Sequence, residues 1–165
     1  MLVLGIDPGT ALCGYGLVRS EGDEMSLVAY GAISTPAKAP LSDRLLQIHA
    51  ELAGMIKAHR PQSAAVEKLF FSKNTRTALA VGHARGVVLL AAAEAGLPVY
   101  EYTPNEVKQA IVGYGGADKN QMQQMVRMLL HLPYVPEPDD AADAVAIAIC
   151  HIQSSHLREL IEAQE

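Results

Sequence analysis

MLVLGIDPGTALCGYGLVRSEGDEMSLVAYGAIS, residues 1–34, holds three apolar runs separated by turn signals. The first, LVLGID at 2–7, stops at Asp-Pro-Gly and reads as a buried strand. LCGYGLVR at 12–19 and MSLVAYGAIS at 25–34 follow, with a polar turn containing Gly22 and Asp23 between them. Together the runs predict a meander of three antiparallel strands. Downstream, Leu41, Leu45, Leu46, Ile48, Leu52, Met55 and Ile56 recur at helical spacing over 41–59, with Ser42 or Asp43 as the cap and Pro61 beyond the end. SAAVE at 63–67 is a short strand, parallel because it follows a helix. A long Ala- and Val-rich helix over 75–95 leads to a last strand, PVYEY, at 98–102. Thr103, Pro104 and Glu106 spell a capped helix start, giving a helix over 104–112 and then the loop GYGG at 113–116. Asp118 opens another helix to about His131, and a final helix runs from about 139 to at least 157. The order βββαβαβααα predicts an α/β fold: a mixed five-stranded sheet, three antiparallel strands plus two parallel, flanked by helices.

The chain has 165 residues and a mass of 17.6 kDa, the size of one compact domain, 1–165, without repeats or a linker. Half of its residues are apolar, enough to bury roughly 70% of the unfolded chain's surface. Its apolar runs fall short of the ~18 residues of a membrane span, and residues 1–19 lack a signal peptide's basic start. Cys13 and Cys150 show neither metal-ligand spacing nor a disulfide framework, so a reducing, cytoplasmic setting is expected. The net charge of -5 is unevenly spread: -3 over residues 1–56, +4 over 57–127 and -6 over 128–165. The basic middle keeps nucleic acid in view, because acidic residues that hold cations inflate the negative count.

Four carboxylates stand out by position. Asp7 and Glu67 end predicted strands, and Asp140 and Asp143 share one face of the first turn of the last helix. That helix continues as AVAIAICHI, which must pack on the sheet, so acids at its start need cations or protons. Oxygen ligands in a cluster favour Mg²⁺ or Mn²⁺ over zinc. Plainer roles compete at each position. Asp7 can close a turn, Glu67 can pair with Lys68, and Asp139 and Asp140 can cap the helix, the role favoured for Asp139. Asp143 begins the apolar face and is the hardest to explain that way. The basic segment KLFFSKNTR at 68–76 carries Phe70 and Phe71, suited to stacking on unpaired bases unless they belong to the core.

GIDPGT at 5–10, GYG at 14–16, VEKLFFSKN at 66–74, ARG at 84–86, VKQAIVGYG at 107–115 and DDAADAVAIAICH at 139–151 together resemble the RuvC-type Holliday junction resolvases. The resemblance runs from about residue 3 to residue 152, and it is the order and spacing of the motifs that make it specific. It implies an RNase H-like fold and a homodimer. The activity it implies is Mg²⁺-dependent, symmetric, paired nicking of two strands of like polarity in a four-way DNA junction, leaving 5′-phosphate and 3′-hydroxyl ends. Two Mg²⁺ ions per site are expected, with Mn²⁺ able to substitute, held by the family's acidic positions at Asp7, Glu67, Asp140 and Asp143. Asp139 competes with Asp140 for the third place. The family's base-stacking aromatic falls on Phe70, with Phe71 beside it; its DNA-binding lysines fall on Lys108 and Lys119, and Lys73, Asn74 and Arg76 extend the DNA contact. A branch-migration motor complex is the implied partner, and recombination and repair the setting.

Other classes remain open at this point. GIDPGT also resembles the phosphate turn of actin-like ATPases and sugar kinases, but these need two such domains, more than 165 residues supply. A small RNase H-like nuclease processing ribosomal RNA, or a junction-binding module without catalysis, shares the expected fold. The 75–95 helix is apolar nearly all round and is expected to be buried on two sides, against the sheet and against a second copy at Gly82 and Gly86, unless another helix of the same chain covers it. Arg127 is either a further DNA contact or part of a solvated face.

Overall fold

The computed structural model describes residues 1–68 and 75–162, without the side chains of 159, 160 and 162. Three strands, β1 (Leu2–Asp7), β2 (Leu12–Glu21) and β3 (Glu24–Ser34), form the expected antiparallel meander. Helix α1 (Leu41–His59) leads to β4 (Ser63–Glu67), which pairs parallel with β1, and α2 (Thr75–Glu94) leads to β5 (Val99–Tyr102), parallel with β4. Three helices complete the chain: α3 (Pro104–Val112), α4 (Lys119–Leu129) and α5 (Asp139–Glu162). The sheet order is β3-β2-β1-β4-β5.

Alternation along the strands divides the apolar side chains between two cores. Leu2, Leu4, Ile6, Ala64 and Val66 point to one face, where Ile48 and Leu52 of α1 and Ala84 and Val88 of α2 cover them. Val3, Val18, Ala65 and Tyr102 point to the other, against Val107 of α3, Val126 of α4 and the Val145–Ile149 stretch of α5. Helix α5 lies very close to the sheet because the strand residues beneath it are glycines. A Cβ on Gly14 would run into the carbonyl oxygen of Asp140, and one on Gly5 into that of Ala144. Since Gly14 pairs with Asp7 across β1 and β2, this approach brings the first turn of α5 beside the end of β1.

Two helix starts follow their sequence signals. Thr103 and Glu106 form a reciprocal capping box at α3, and Asp118 and Gln121 do so at α4. Two others differ from expectation. Helix α1 begins at Leu41, and the N–H groups of Asp43 and Arg44 bond to the Pro40 carbonyl. Ser42 and Asp43 therefore lie inside the helix and neither caps it. At α5 the Pro138 carbonyl accepts from Ala141 and Ala142, so Asp139 is the first helical residue and not the cap.

Helix α2 is the one described helix long and apolar enough to cross a membrane by composition. It is a core helix instead: its own Ala78, Ala84, Val88, Ala91 and Ala92 are buried. No other described helix covers its outer side, so the alternative of burial by a helix of the same chain does not hold there. Leu79 and Leu90 are 63% and 53% exposed, and beside the Cα of Gly86 the space is open.

Candidate active site

Parallel pairing of β1 with β4 matches Ile6 to Val66, so the next residues, Asp7 and Glu67, end adjacent strands on the same side of the sheet. Val3, Ala65 and the Cβ direction of Gly5 establish that side as the α5 face. The close approach of α5 then adds Asp143 from its second turn. Asp7, Glu67 and Asp143 line a cleft of about 340 Å³, with Lys108 of α3 and Lys119 and Gln123 of α4 on its opposite wall. Asp140 borders an adjacent groove of about 590 Å³ on the other flank of the α5 N-terminus. Its charge still acts on both Asp7 and Asp143.

The electrostatics show acids held against their preference. The Asp7 carboxyl is pushed up to about 7, first by burial and then by the charges of Asp143, Glu67 and Asp140, with Lys119 opposing. Burial also raises the Glu67 carboxyl, as does Asp143, while Lys108 draws it back. Asp143 is raised by burial, with Lys119 opposing and Asp139 and Asp140 adding to the rise. Glu67 is thus answered across the cleft by Lys108 rather than by its neighbour Lys68.

Asp139 has a different place. It lies 2.8 Å from Lys119 Nζ and accepts from Gln123 Nε2 at 2.9 Å. Its carboxyl is lowered by the bond to Lys119, then by that to Gln123. Lys119 also stands 3.7 Å from Asp143. Asp139 therefore holds Lys119 at the rim, where the lysine counters the buried carboxylates. Gln123 is the cleft residue that the sequence reading missed; only its position one helical turn after Lys119 marks it.

Among the described residues, no three acids or imidazoles are gathered closely enough to make a finished metal cage. The donor set nevertheless fits a hard divalent cation. Among the described residues the donors are carboxylate oxygens, three of them raised by burial and crowding of like charge, and no thiol or imidazole lines the cleft. A bound cation would neutralise the like charges that add to the effect of burial.

Other expected residues fall in different places. Arg76 is exposed on the first turn of α2 and borders the groove on the Asp140 side. Phe70, Phe71, Lys73 and Asn74 lie outside the described residues. Arg127 donates to Gln124 on its own helix and does not line the cleft.

Comparison with known proteins places this arrangement. Residues 3–151 match the family model for crossover junction endodeoxyribonuclease RuvC. A crossover junction endodeoxyribonuclease RuvC from Desulfitobacterium hafniense is 59% identical over 157 residues, covering 95% of each chain. One from Chloroflexus aggregans is 61% identical over 151 residues, covering 92% of each. The solved structure of Thermus thermophilus RuvC in complex with Holliday junction substrate superposes with a TM-score of 0.91 at 40% identity, covering 95% of this chain and 96% of that one. The yeast mitochondrial resolvase Ydc2 shares the fold, with a TM-score of 0.65 at 15% identity, covering 99% of this chain and 86% of that one. With its acids gathered at the strand ends under the start of α5, and with this similarity over nearly its whole length, the chain belongs to the RuvC family of crossover junction endodeoxyribonucleases.

Proposed function

We propose that this chain, acting as a single nuclease domain, resolves Holliday junctions. It nicks two strands of like polarity at symmetric positions and leaves 5′-phosphate and 3′-hydroxyl ends. The observation that carries this reading is the convergence of Asp7, Glu67 and Asp143 on one cleft faced by Lys108 and Lys119, with Asp140 on its flank. Asp7, Glu67, Asp140 and Asp143 would hold two Mg²⁺ ions, with Mn²⁺ as a substitute. When bound, such cations supply Lewis-acid charge at the scissile phosphate and make the attacking water easier to ionise.

The chain's own groups do the positioning. Lys119, held at the rim by Asp139, offers its ammonium to a backbone phosphate entering the cleft. Lys108 balances Glu67 and stands on the same wall. These contacts locate the backbone without reading bases. Phe70 and Phe71 stack on bases unpaired at the crossover, and Lys73, Asn74 and Arg76 follow the strand beside them.

One carboxylate centre per chain and two symmetric cuts require two chains. The outer face of α2, with Leu90 exposed and open space at Gly86, is the surface on which a second copy docks. The dimer works in the cytoplasm, in recombination and repair, with a branch-migration motor complex as partner.

The test uses a synthetic four-way junction, an RNA hairpin and ATP, each with Mg²⁺ and with EDTA. Mg²⁺-dependent paired nicks in the junction alone are expected. Cleavage of the hairpin or hydrolysis of ATP, with the junction intact, would overturn the reading.

A further inference from the structure

Beside the carboxylate cleft, on the other flank of the α5 N-terminus, lies the groove of about 590 Å³. Arg44 of α1, Arg76 and His83 of α2, the Thr10 turn and Asp140 line it. Among the described residues it thus carries two guanidinium groups, an imidazole and one acid, and that acid belongs to the cutting centre. The groove is built rather than incidental. Arg44 Nε donates to Thr35 Oγ1 at 2.8 Å, and Thr35 Oγ1 donates to the Thr10 carbonyl at 2.5 Å. Thr10 Oγ1 in turn donates to the Ala80 carbonyl of α2 at 2.7 Å. Both threonines are buried. This relay ties the turn after β1, the start of α1 and the first half of α2 together, and it fixes Arg44 at the groove wall. Of the five guanidinium N–H donors, the Nε–H is the one engaged in the relay.

We propose that this groove binds the sugar-phosphate backbone of the junction strand on the side of the cut opposite Lys108 and Lys119, with Arg44 as its fixed phosphate contact. The proposal rests on the junction-cutting reading and adds the strand's second exit. A strand whose scissile phosphate sits over Asp7 and Asp143 has two ways out across the start of α5. One passes the lysines of the cleft; the other passes Asp140 into this groove. Arginine suits the task, since its planar fork can hold two phosphate oxygens at once. A free phosphate or nucleotide has the same chemistry, but the continuity of the groove with the carboxylates favours a strand.

The experiment measures junction binding without divalent metal over a range of salt concentrations, for wild type, Arg44→Ala, Arg44→Lys, Leu41→Glu and Lys57→Ala. Leu41 is exposed at the groove mouth, so Leu41→Glu adds a repelling charge without touching the relay. Lys57 lies at the far end of α1 and serves as the control. Arg44→Ala should weaken binding roughly tenfold and flatten the log–log salt slope by about one contact, with Arg44→Lys restoring the slope. Leu41→Glu should weaken binding, and Lys57→Ala should match wild type. A methylphosphonate scan on both sides of the cut should find one neutralised position that weakens wild type but adds nothing to Arg44→Ala. Wild-type salt slopes in both Arg44→Ala and Leu41→Glu would overturn the groove, as would tight binding of millimolar phosphate or ATP that needs Arg44 and yet leaves the wild-type junction complex undisturbed. A wild-type protein that neither binds nor cuts the junction would instead refute the functional reading itself.

Discussion

Replacing Asp7 by Asn should make the metal-free protein more stable at alkaline pH while abolishing cleavage. The Asp7 carboxyl is raised from 3.8 to about 7 by burial and three neighbouring acids. A carboxyl raised on folding holds its proton more tightly in the folded state. The cost of ionising it is therefore absent well below pH 4, grows as pH rises, and is complete above pH 7. The displacement corresponds to roughly 4 kcal/mol. Coupling among the acids and partial hydration of the cleft reduce the expected effect to about 2 kcal/mol. Asn has nearly the same shape and never ionises, so Asp7→Asn removes this cost. Urea denaturation in EDTA should show the variant ahead of wild type by about 2 kcal/mol at pH 8, with the gap closing toward pH 4. Mg²⁺ should then raise the melting temperature of wild type at pH 8 and leave Asp7→Asn nearly unmoved. A variant less stable than wild type at pH 8, or a gap independent of pH, would refute the claim that this site is strained by unneutralised charge.

Further outcomes follow from other contacts. His151 is buried, accepts or donates a 2.7 Å bond with Tyr102 Oη, and is lowered to about 4 by burial and the charge of Arg158. Its contribution to stability is full above pH 6.5 and lost as pH falls toward 4, so His151→Gln should flatten that part of a urea-midpoint profile measured in the Asp7→Asn background. Gly14→Ala should lower stability by about 2–3 kcal/mol and cleavage by roughly 100-fold, because a methyl group there displaces the turn carrying Asp140. Gly86→Leu should remain folded, since nothing among the described residues lies near the position of an added Cβ, but should sediment as a monomer, wild type being expected to sediment as a dimer, and should lose paired nicking.

The element order was legible because each strand and helix carries its own period and its own stop, and the α3 start because Thr103 and Glu106 are a local signal. The α1 start was not, because Pro40 supplies a backbone carbonyl where the sequence offers two side-chain candidates. The acids were legible as a set, since strand ends and a helix start with misplaced charge are both visible in one dimension. Their division between cleft and groove was not, because it depends on how closely α5 settles on Gly5 and Gly14. The pairing of Asp139 with Lys119 joins residues 20 apart across two helices, and no local pattern announces it. Helix α2 shows where one chain stops: its apolar composition all round marks two faces to cover, and the single chain covers the one on the sheet.

That Asp7, Glu67, Asp140 and Asp143 form the cutting centre is tested most directly by one set of reactions on a synthetic four-way junction. Asp7→Asn, Glu67→Gln, Asp140→Asn, Asp143→Asn and Asp139→Asn are each assayed for Mg²⁺-dependent cleavage alongside junction binding. The first four should bind the junction and fail to cut it. Asp139→Asn should still cut, because its carboxylate serves Lys119 at the rim. Full cleavage by Asp140→Asn together with none by Asp139→Asn would move the third ligand by one residue, and full cleavage by Asp7→Asn would contradict the centre altogether.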